Sequence, residues 1–208
     1  MISVNFHSSI KITGNKIVYF DPLKVMENHD ADYIFITHSH WDHFSKEDIL
    51  KIKKDNTKII GPKDMNNSFI ELGFVKENII LFSSKEKWHD EDISIKTVPS
   101  YNINKNFHPK ENGWLGYIVT IDNTIYYVPG DTDVLKENEA IICDILFVPI
   151  GGTYTMDAME AANFTNKLRP KKVVPVHYGS IVGSNEDYYI FESNVDSNIR
   201  IENYINVS

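Results

Sequence analysis

The 208-residue sequence predicts an α/β fold. Three observations carry the prediction. Between residues 33 and 82, short apolar runs of strand character alternate with helix signals, a β-α-β-α-β order. Later runs, over residues 115–128, 145–149 and 173–176, are rich in Val, Ile and Tyr, as half-buried or buried strands are. Histidines and aspartates recur just past these runs, at residues 38–43, 131 and 177, so the strands end on one common rim. The alternation alone also allows a doubly wound sheet.

Taken in order, Ile2–Phe6, Ile10–Thr13 and Lys16–Phe20 read as strands, the last two joined by a Gly14-Asn15 hairpin turn. Tyr33–Thr37 is a buried strand. Ser45, with Asp48 three residues on, caps a helix to Lys54 whose apolar face holds Ile49, Leu50 and Ile52. Thr57–Gly61 is a strand, Lys63–Leu72 a helix stopped by Gly73, and Asn78–Phe82 a strand. Glu91–Val98 is next, followed by a polar loop over 103–112 that carries His108. Leu115–Ile121 and Thr124–Val128 form a hairpin over Asp122-Asn123. After the strand Ile145–Pro149, a helix runs from Asp157 to Leu168 with Thr155 as its expected cap, then the strand Val173–Val176. The tail reads as a helix over 185–195 and a strand over 199–205.

Length and composition suit a single domain over 1–208. Hydrophobic residues at 42% and charged residues at 24% are ordinary for a soluble globular protein. The net charge of −8, from 29 acidic and 21 basic residues, repels phosphate backbones, and no basic stripe exists to guide nucleic acid. No apolar run reaches membrane-spanning length and no leader pattern opens the chain. The lone cysteine, Cys143, sits in an apolar context. Together these features lead us to expect a cytoplasmic protein acting on a small molecule.

The densest chemistry is His38-Ser39-His40-Trp41-Asp42-His43, three imidazoles and a carboxylate in six residues. Period-two alternation at the end of a strand puts His38 and His40 on one side, where two ligands converge on one metal. Asp42 and His43 follow on a tight loop that can face a second ion. Ordinary hydrogen-bonded histidines are the plain alternative, but burying so many uncoordinated is costly.

This stretch resembles the His-x-His-x-Asp-His signature of the metallo-β-lactamase-fold hydrolases. The resemblance continues through Phe6-His7-Ser8-Ser9, Tyr19-Phe20-Asp21-Pro22, Val128-Pro129-Gly130-Asp131-Thr132, Val148-Pro149-Ile150-Gly151-Gly152 and Val174-Pro175-Val176-His177-Tyr178, in that order. The blocks are most similar to a small branch that includes the ascorbate-phosphate lactonase and the N-acyl-phosphatidylethanolamine phospholipase D. The resemblance implies an αββα sandwich of two mixed sheets flanked by helices. It also implies two divalent metal ions, zinc foremost, with manganese or iron also suited to His and Asp donors.

On that reading His38 and His40 bind the first ion, while Asp42, His43 and His177 bind the second, with Asp131 as the bridging carboxylate. The family's third histidine falls near Asn102, a poor zinc ligand, so His108 is expected to replace it and Asn102 to orient substrate. Asp21 is expected beneath the metal loop, accepting hydrogen bonds there, unless it is only an Asp-Pro turn opener. His7 resembles a family position at the mouth of the site, where it would touch substrate or a ligand, or else simply close a strand. Tyr101 and Tyr178 are candidate hydrogen-bond donors to an oxyanion, although both can simply pack. His29 and His89, in polar turns, are left to solvent.

Two ions bring about +4, and Asp42, Asp131 and a bridging hydroxide about −3, so an acidic protein would hold a locally cationic pocket. The expected activity is hydrolysis of an ester, lactone or phosphodiester by the metal-bridging hydroxide, on a small anionic substrate suited to that pocket's charge, with Asp42 orienting the hydroxide. Other expectations are a mononuclear-iron dioxygenase of the same fold and a non-catalytic metal or ligand sensor. Diiron reductases are disfavoured, because they usually carry a glutamate where His40 stands.

Overall fold

A computed structural model of the chain describes residues 1–205. Two mixed sheets face each other. The first holds β1 (Ile2–Phe6), β2 (Ser9–Thr13), β3 (Ile17–Phe20), β4 (Tyr33–Phe35), β5 (Lys58–Pro62) and β6 (Ile79–Phe82), side by side in chain order. Strands β1 to β3 pair antiparallel, and β3 to β6 pair parallel. The second sheet contains β7 (Lys87–His89), β8 (Ile93–Pro99), β9 (Leu115–Ile121), β10 (Thr124–Val128), β11 (Ile145–Pro149), β12 (Lys172–Val176) and β13 (Arg200–Ile201). Its first four strands form an antiparallel meander, and β10 to β13 are parallel.

Period-two alternation explains the layering. Val18 and Phe20 of β3, Tyr33 and Phe35 of β4, and Ile145 and Phe147 of β11 join one core between the sheets. Their neighbours face outward: Tyr19, Ile34 and Ile36 pack under α1 (Lys46–Ile52) and α2 (Asn66–Glu71), and Leu146 and Val148 under α3 (Ala158–Leu168) and α4 (Asn185–Asn194). Strands buried on both faces are what parallel pairing requires. The result is the αββα sandwich, not the doubly wound sheet that alternation alone allowed.

Within the inner core Phe20 stacks on Phe35 at 4.6 Å, and Tyr117 meets Phe35 edge-on at 5.1 Å. The Tyr117 hydroxyl crosses from β9 to donate to the carbonyl of Ile36, 2.7 Å away, just where β4 gives way to the His38–His43 loop. The opposite end of the sandwich is also tied: Asp122 accepts from the backbone N and side-chain Nδ2 of Asn15 at 3.0 and 2.8 Å.

Several boundaries differ from expectation. Strand β7 was not foreseen; it is a three-residue edge with exposed Lys87 and His89, too short and too charged for a periodic signal. The helix expected from Lys63 begins as a 3₁₀ turn, Lys63–Met65, before α2. Helix α3 is capped by Asp157, not Thr155. The Asp157 side chain accepts from the backbone of Glu160, and Glu160 reaches back to the backbone of Asp157, a full capping box. The expected strand over 199–205 shrinks to β13, and the expected strand to Thr37 ends at Phe35.

Candidate metal centre

Every block of chemical residues lies at the ends of β3, β4, β8, β10, β11 and β12, or in the turn between β1 and β2. Beneath the loop after β4 lies Asp21, fully buried with φ 45° at the end of β3. Its carboxylate accepts from the Thr37 backbone N at 2.8 Å, the Thr37 hydroxyl at 2.6 Å and His43 Nδ1 at 2.7 Å. Thr37 Oγ1 also lies 2.9 Å from His38 Nδ1, and because that hydroxyl already donates to Asp21, this chain assigns the His38 proton to Nδ1. Asp21 therefore fixes the outward face of two imidazoles.

The ring nitrogens and carboxylates converge on two neighbouring points. His38, His40 and His108 form one donor set; His7, Asp42, His43 and His177 form another, the donor atoms of each lying within 4.8 Å of one another. Asp131 touches both. Its Oδ2 is 3.4 Å from His108 Nε2 and 2.9 Å from His177 Nε2, and its Oδ1 is 3.3 Å from His43 Nε2. Asp42 Oδ2 stands 3.7 Å from His43 Nε2 and 3.9 Å from His177 Nε2. Nitrogen and oxygen donors about 2.0–2.1 Å from a tetrahedral ion stand roughly 3.3–3.4 Å apart, the separation of Asp131 from His43 and His108, while the 2.9 Å to His177 is also a hydrogen-bond length.

Unspent donor capacity makes the same point. The Nε2 atoms of His43, His108 and His177 and Oδ1 of Asp131 are buried without a hydrogen-bond partner among the described residues. Orphaned polar atoms are costly, and here they are gathered around shared points. The donor set thus fits metal ions.

Electrostatics agrees. Burial pushes the Asp131 carboxyl up, but His177, His43 and His108 outweigh it and hold it well below the usual range. Asp42 is likewise penalised by burial yet held at about 2 by His7 and His43. His38 and His40 are pushed down by burial and by neighbouring imidazoles, leaving neutral rings. Burial also takes His7 down to about 4. His43 differs: burial opposes its charge, but Asp131 and Asp21 hold it well above the ordinary value.

Close backbone approach is needed at two glycines. Gly130, at φ 71°, precedes Asp131, and a Cβ there would crowd Thr37 and Ser100 at 3.1 Å. At Gly151 a Cβ would lie 2.2 Å from the carbonyl of His177, so only glycine lets the turn after β11 pack against that residue.

Asn102 and His108 lie together as the sequence suggested, but Asn102 has a different set of contacts from that expected of a group facing substrate. Its Oδ1 accepts from His108 Nδ1 at 3.0 Å, and its Nδ2 donates to Asp133 and to the Tyr154 carbonyl. The amide therefore turns His108 so that Nε2 faces Asp131. The Tyr178 hydroxyl is engaged with Asn203 at 3.0 Å within the core under α3 and α4, the packing reading left open above. Tyr101 lines a cleft of about 550 Å³ beside His108, together with Ile103, Lys105 and Lys110. His29 and His89 lie apart, His29 bonding the Lys53 carbonyl through Nδ1 at 2.6 Å. Sequence reasoning gave no role to Trp114, which packs buried against His38, His40 and His108 with ring centroids 4.9 to 5.5 Å away. Only its position ahead of β9, beside a polar loop, hinted at this.

Residues 2–177 match the family described as the beta-lactamase superfamily domain. The chain belongs to that superfamily. A UPF0173 metal-dependent hydrolase of Thermococcus onnurineus is 30% identical over 197 residues, with 86% of each chain covered. Among solved structures, a protein of Parabacteroides distasonis assigned as a metal-dependent hydrolase superposes with a TM-score of 0.81 at 28% identity, covering 99% of this chain and 93% of that one. Igni18, a metallo hydrolase of Ignicoccus hospitalis, shares the fold at a TM-score of 0.77 and 21% identity, over 99% and 95% of the two chains. This member of the superfamily is a metal-dependent hydrolase, and the His and Asp cluster at its rim could bind metal. Among the described residues no helix is long and apolar enough to cross a membrane.

Proposed function

We propose that this hydrolase holds two divalent ions and cleaves a small ester, lactone or phosphodiester. The observation that carries the reading is Asp131, whose two carboxylate oxygens face donors of both histidine sets. His38, His40 and His108 would hold one ion, Asp42, His43 and His177 the other, with Asp131 shared. When bound, such ions lower the pKa of water and polarise a carbonyl or phosphoryl oxygen.

The chain's own residues set the conditions. Asp21 and Asn102 fix His43 and His108 through their Nδ1 atoms, so that neither ring has to reorient when substrate arrives. Asp42, held ionised and mostly buried at the rim, is placed to accept and orient a proton of the attacking water. The cleft lined by Tyr101, Asn102, Lys105, Lys110 and Glu111, in the loop that carries His108, offers room for a small substrate. The buried Cys143 and the acidic composition support a reducing, cytoplasmic setting.

Elemental analysis of purified protein, with His108→Ala and Asp131→Ala beside it, tests the reading. Near two zinc or manganese per chain, falling in both variants and accompanied by turnover of phosphodiester or lactone substrates, supports it. One iron per chain, indifferent to His108→Ala, together with oxygen uptake on persulfides, would replace it with the dioxygenase reading.

A further inference from the structure

His7 lies in the turn between β1 and β2, at φ 55°, with its ring almost fully buried. Its Nε2 has no hydrogen-bond partner among the described residues. That atom stands 3.4 Å from Asp42 Oδ2, and the ring lies 3.9 Å, centroid to centroid, from the ring of His177. The His7 carbonyl accepts from the backbone N of His177 at 3.2 Å, so the two residues are held together by backbone as well as by ring contact. Nδ1 faces the hydroxyl of Ser180 at 3.4 Å, which leaves Nε2 as the nitrogen turned toward Asp42 and His43.

A buried imidazole nitrogen with no partner, 3.4 Å from Asp42 Oδ2 where His43 and His177 stand 3.7 and 3.9 Å away, is costly unless something occupies the point they share. Substrate does not explain it, because the ring is sealed beneath the rim and not exposed at the mouth. We propose that His7 is itself a ligand of the second ion, completing a donor set of His7, Asp42, His43 and His177. The inference rests on the two-ion reading above. Catalytic zinc commonly keeps three protein donors and an open position. A fourth, in addition to the shared Asp131, favours an ion tolerant of a higher coordination number, such as manganese or iron.

The test uses the full chain loaded with cobalt(II), comparing the wild type with His7→Asn. Asparagine accepts the left-handed backbone there, so the turn is retained. His7→Gln serves as a second variant, with a longer amide in the same place. Two readouts are taken: the affinity for each cobalt equivalent, and the number of strongly downfield, exchangeable imidazole N–H resonances, which arise from coordinated histidines.

We expect two equivalents in the wild type. In both variants the first equivalent binds as before, which also reports an intact fold, the second weakens about ten-fold or more, and one downfield resonance disappears. Weakening with every resonance retained makes His7 a support for Asp42 and overturns the proposal. Unchanged affinity with every resonance retained, or equal loss of both equivalents, overturns it while leaving the two-ion reading in place. Fewer than two equivalents in the wild type overturns the two-ion reading and this inference with it.

Discussion

Asn102 Oδ1 receives two hydrogen bonds from one residue, the backbone N of His108 at 3.2 Å and its ring Nδ1 at 3.0 Å. The asparagine closes the loop over 103–107 on itself and sets the ring in one step. Asn102→Ala is therefore expected to weaken the first metal equivalent by about 10- to 100-fold, the range for loss of a residue that orients a ligand. Competition against a chelator measures it. An unchanged affinity, with only the Michaelis constant raised, would return Asn102 to the substrate-facing role.

Asp21 offers a sharper case, since it is fully buried and accepts from Thr37 twice and from His43 once. Asp21→Ala removes a buried carboxylate while leaving its donors in place. The expected loss is about 3–5 kcal/mol in stability, with metal content reduced as well. Chemical denaturation of the metal-free protein separates the two effects, and a loss below about 1 kcal/mol would contradict the assigned contacts.

Tyr117→Phe keeps the ring against Phe35 and deletes only the bond to the Ile36 carbonyl. Leaving that buried acceptor unpaired is expected to cost about 1–2 kcal/mol. Because Ile36 lies two residues before His38, amide exchange around residues 36–38 should quicken as well. Exchange unchanged there would show that the bond is not what steadies the strand end.

Metal uptake should release protons. Burial works against a charged His43, but Asp131 and Asp21 keep its pKa well above the ordinary value, so the metal-free ring carries a proton that Nε2 must lose before it binds an ion. On the two-ion reading, affinity for the ion that His43 would hold is therefore expected to rise with pH through neutrality. An indicator dye in weak buffer reads the protons directly, and uptake without release would remove His43 from the ligand set.

A carboxylate far from the metals gives a stability prediction of known sign. Partial burial pushes Asp90 up, but Lys58 and Tyr33, each 2.6 Å away, outweigh it and hold the carboxyl at about 2. The unfolded value is about 3.9. A depressed folded pKa means that the contribution is whole above pH 4 and is lost as pH falls toward 2. The stability gap between wild type and Asp90→Asn should thus be constant near pH 5–7 and close below pH 4; a gap that persists at low pH would rule out ionisation as its source.

How much of this was legible in sequence depends on how local the signal was. His38, His40, Asp42 and His43 crowd into one loop, and Asp131 and His177 each follow a short apolar strand, so their convergence could be read from chain order. His108 was suggested because a ligand was missing. The role of Asn102 was not visible, because the contact runs sideways within a loop that has no period. His7 was read either as a residue at the mouth, touching substrate or a ligand, or as a strand-end histidine, since nothing in residues 1–10 reports that their turn is sealed against β12. Edge strand β7 and the Asp157 cap show the opposite failings: the first has too few residues for a pattern, while the second carried a legible Asp-x-x-Glu box that lost out to a nearby threonine.

The clasp of Asn15 with Asp122 has a consequence for how such a chain can diversify. It joins the two sheets through the hairpin turns farthest from Asp131 and His177, so cohesion has an anchor where no chemistry is done. The stretch 103–107 beside the cleft, between Asn102 and His108, can then lengthen, shorten or change charge without loosening that joint. A lineage could acquire new substrates at one rim while inheriting its architecture from the other.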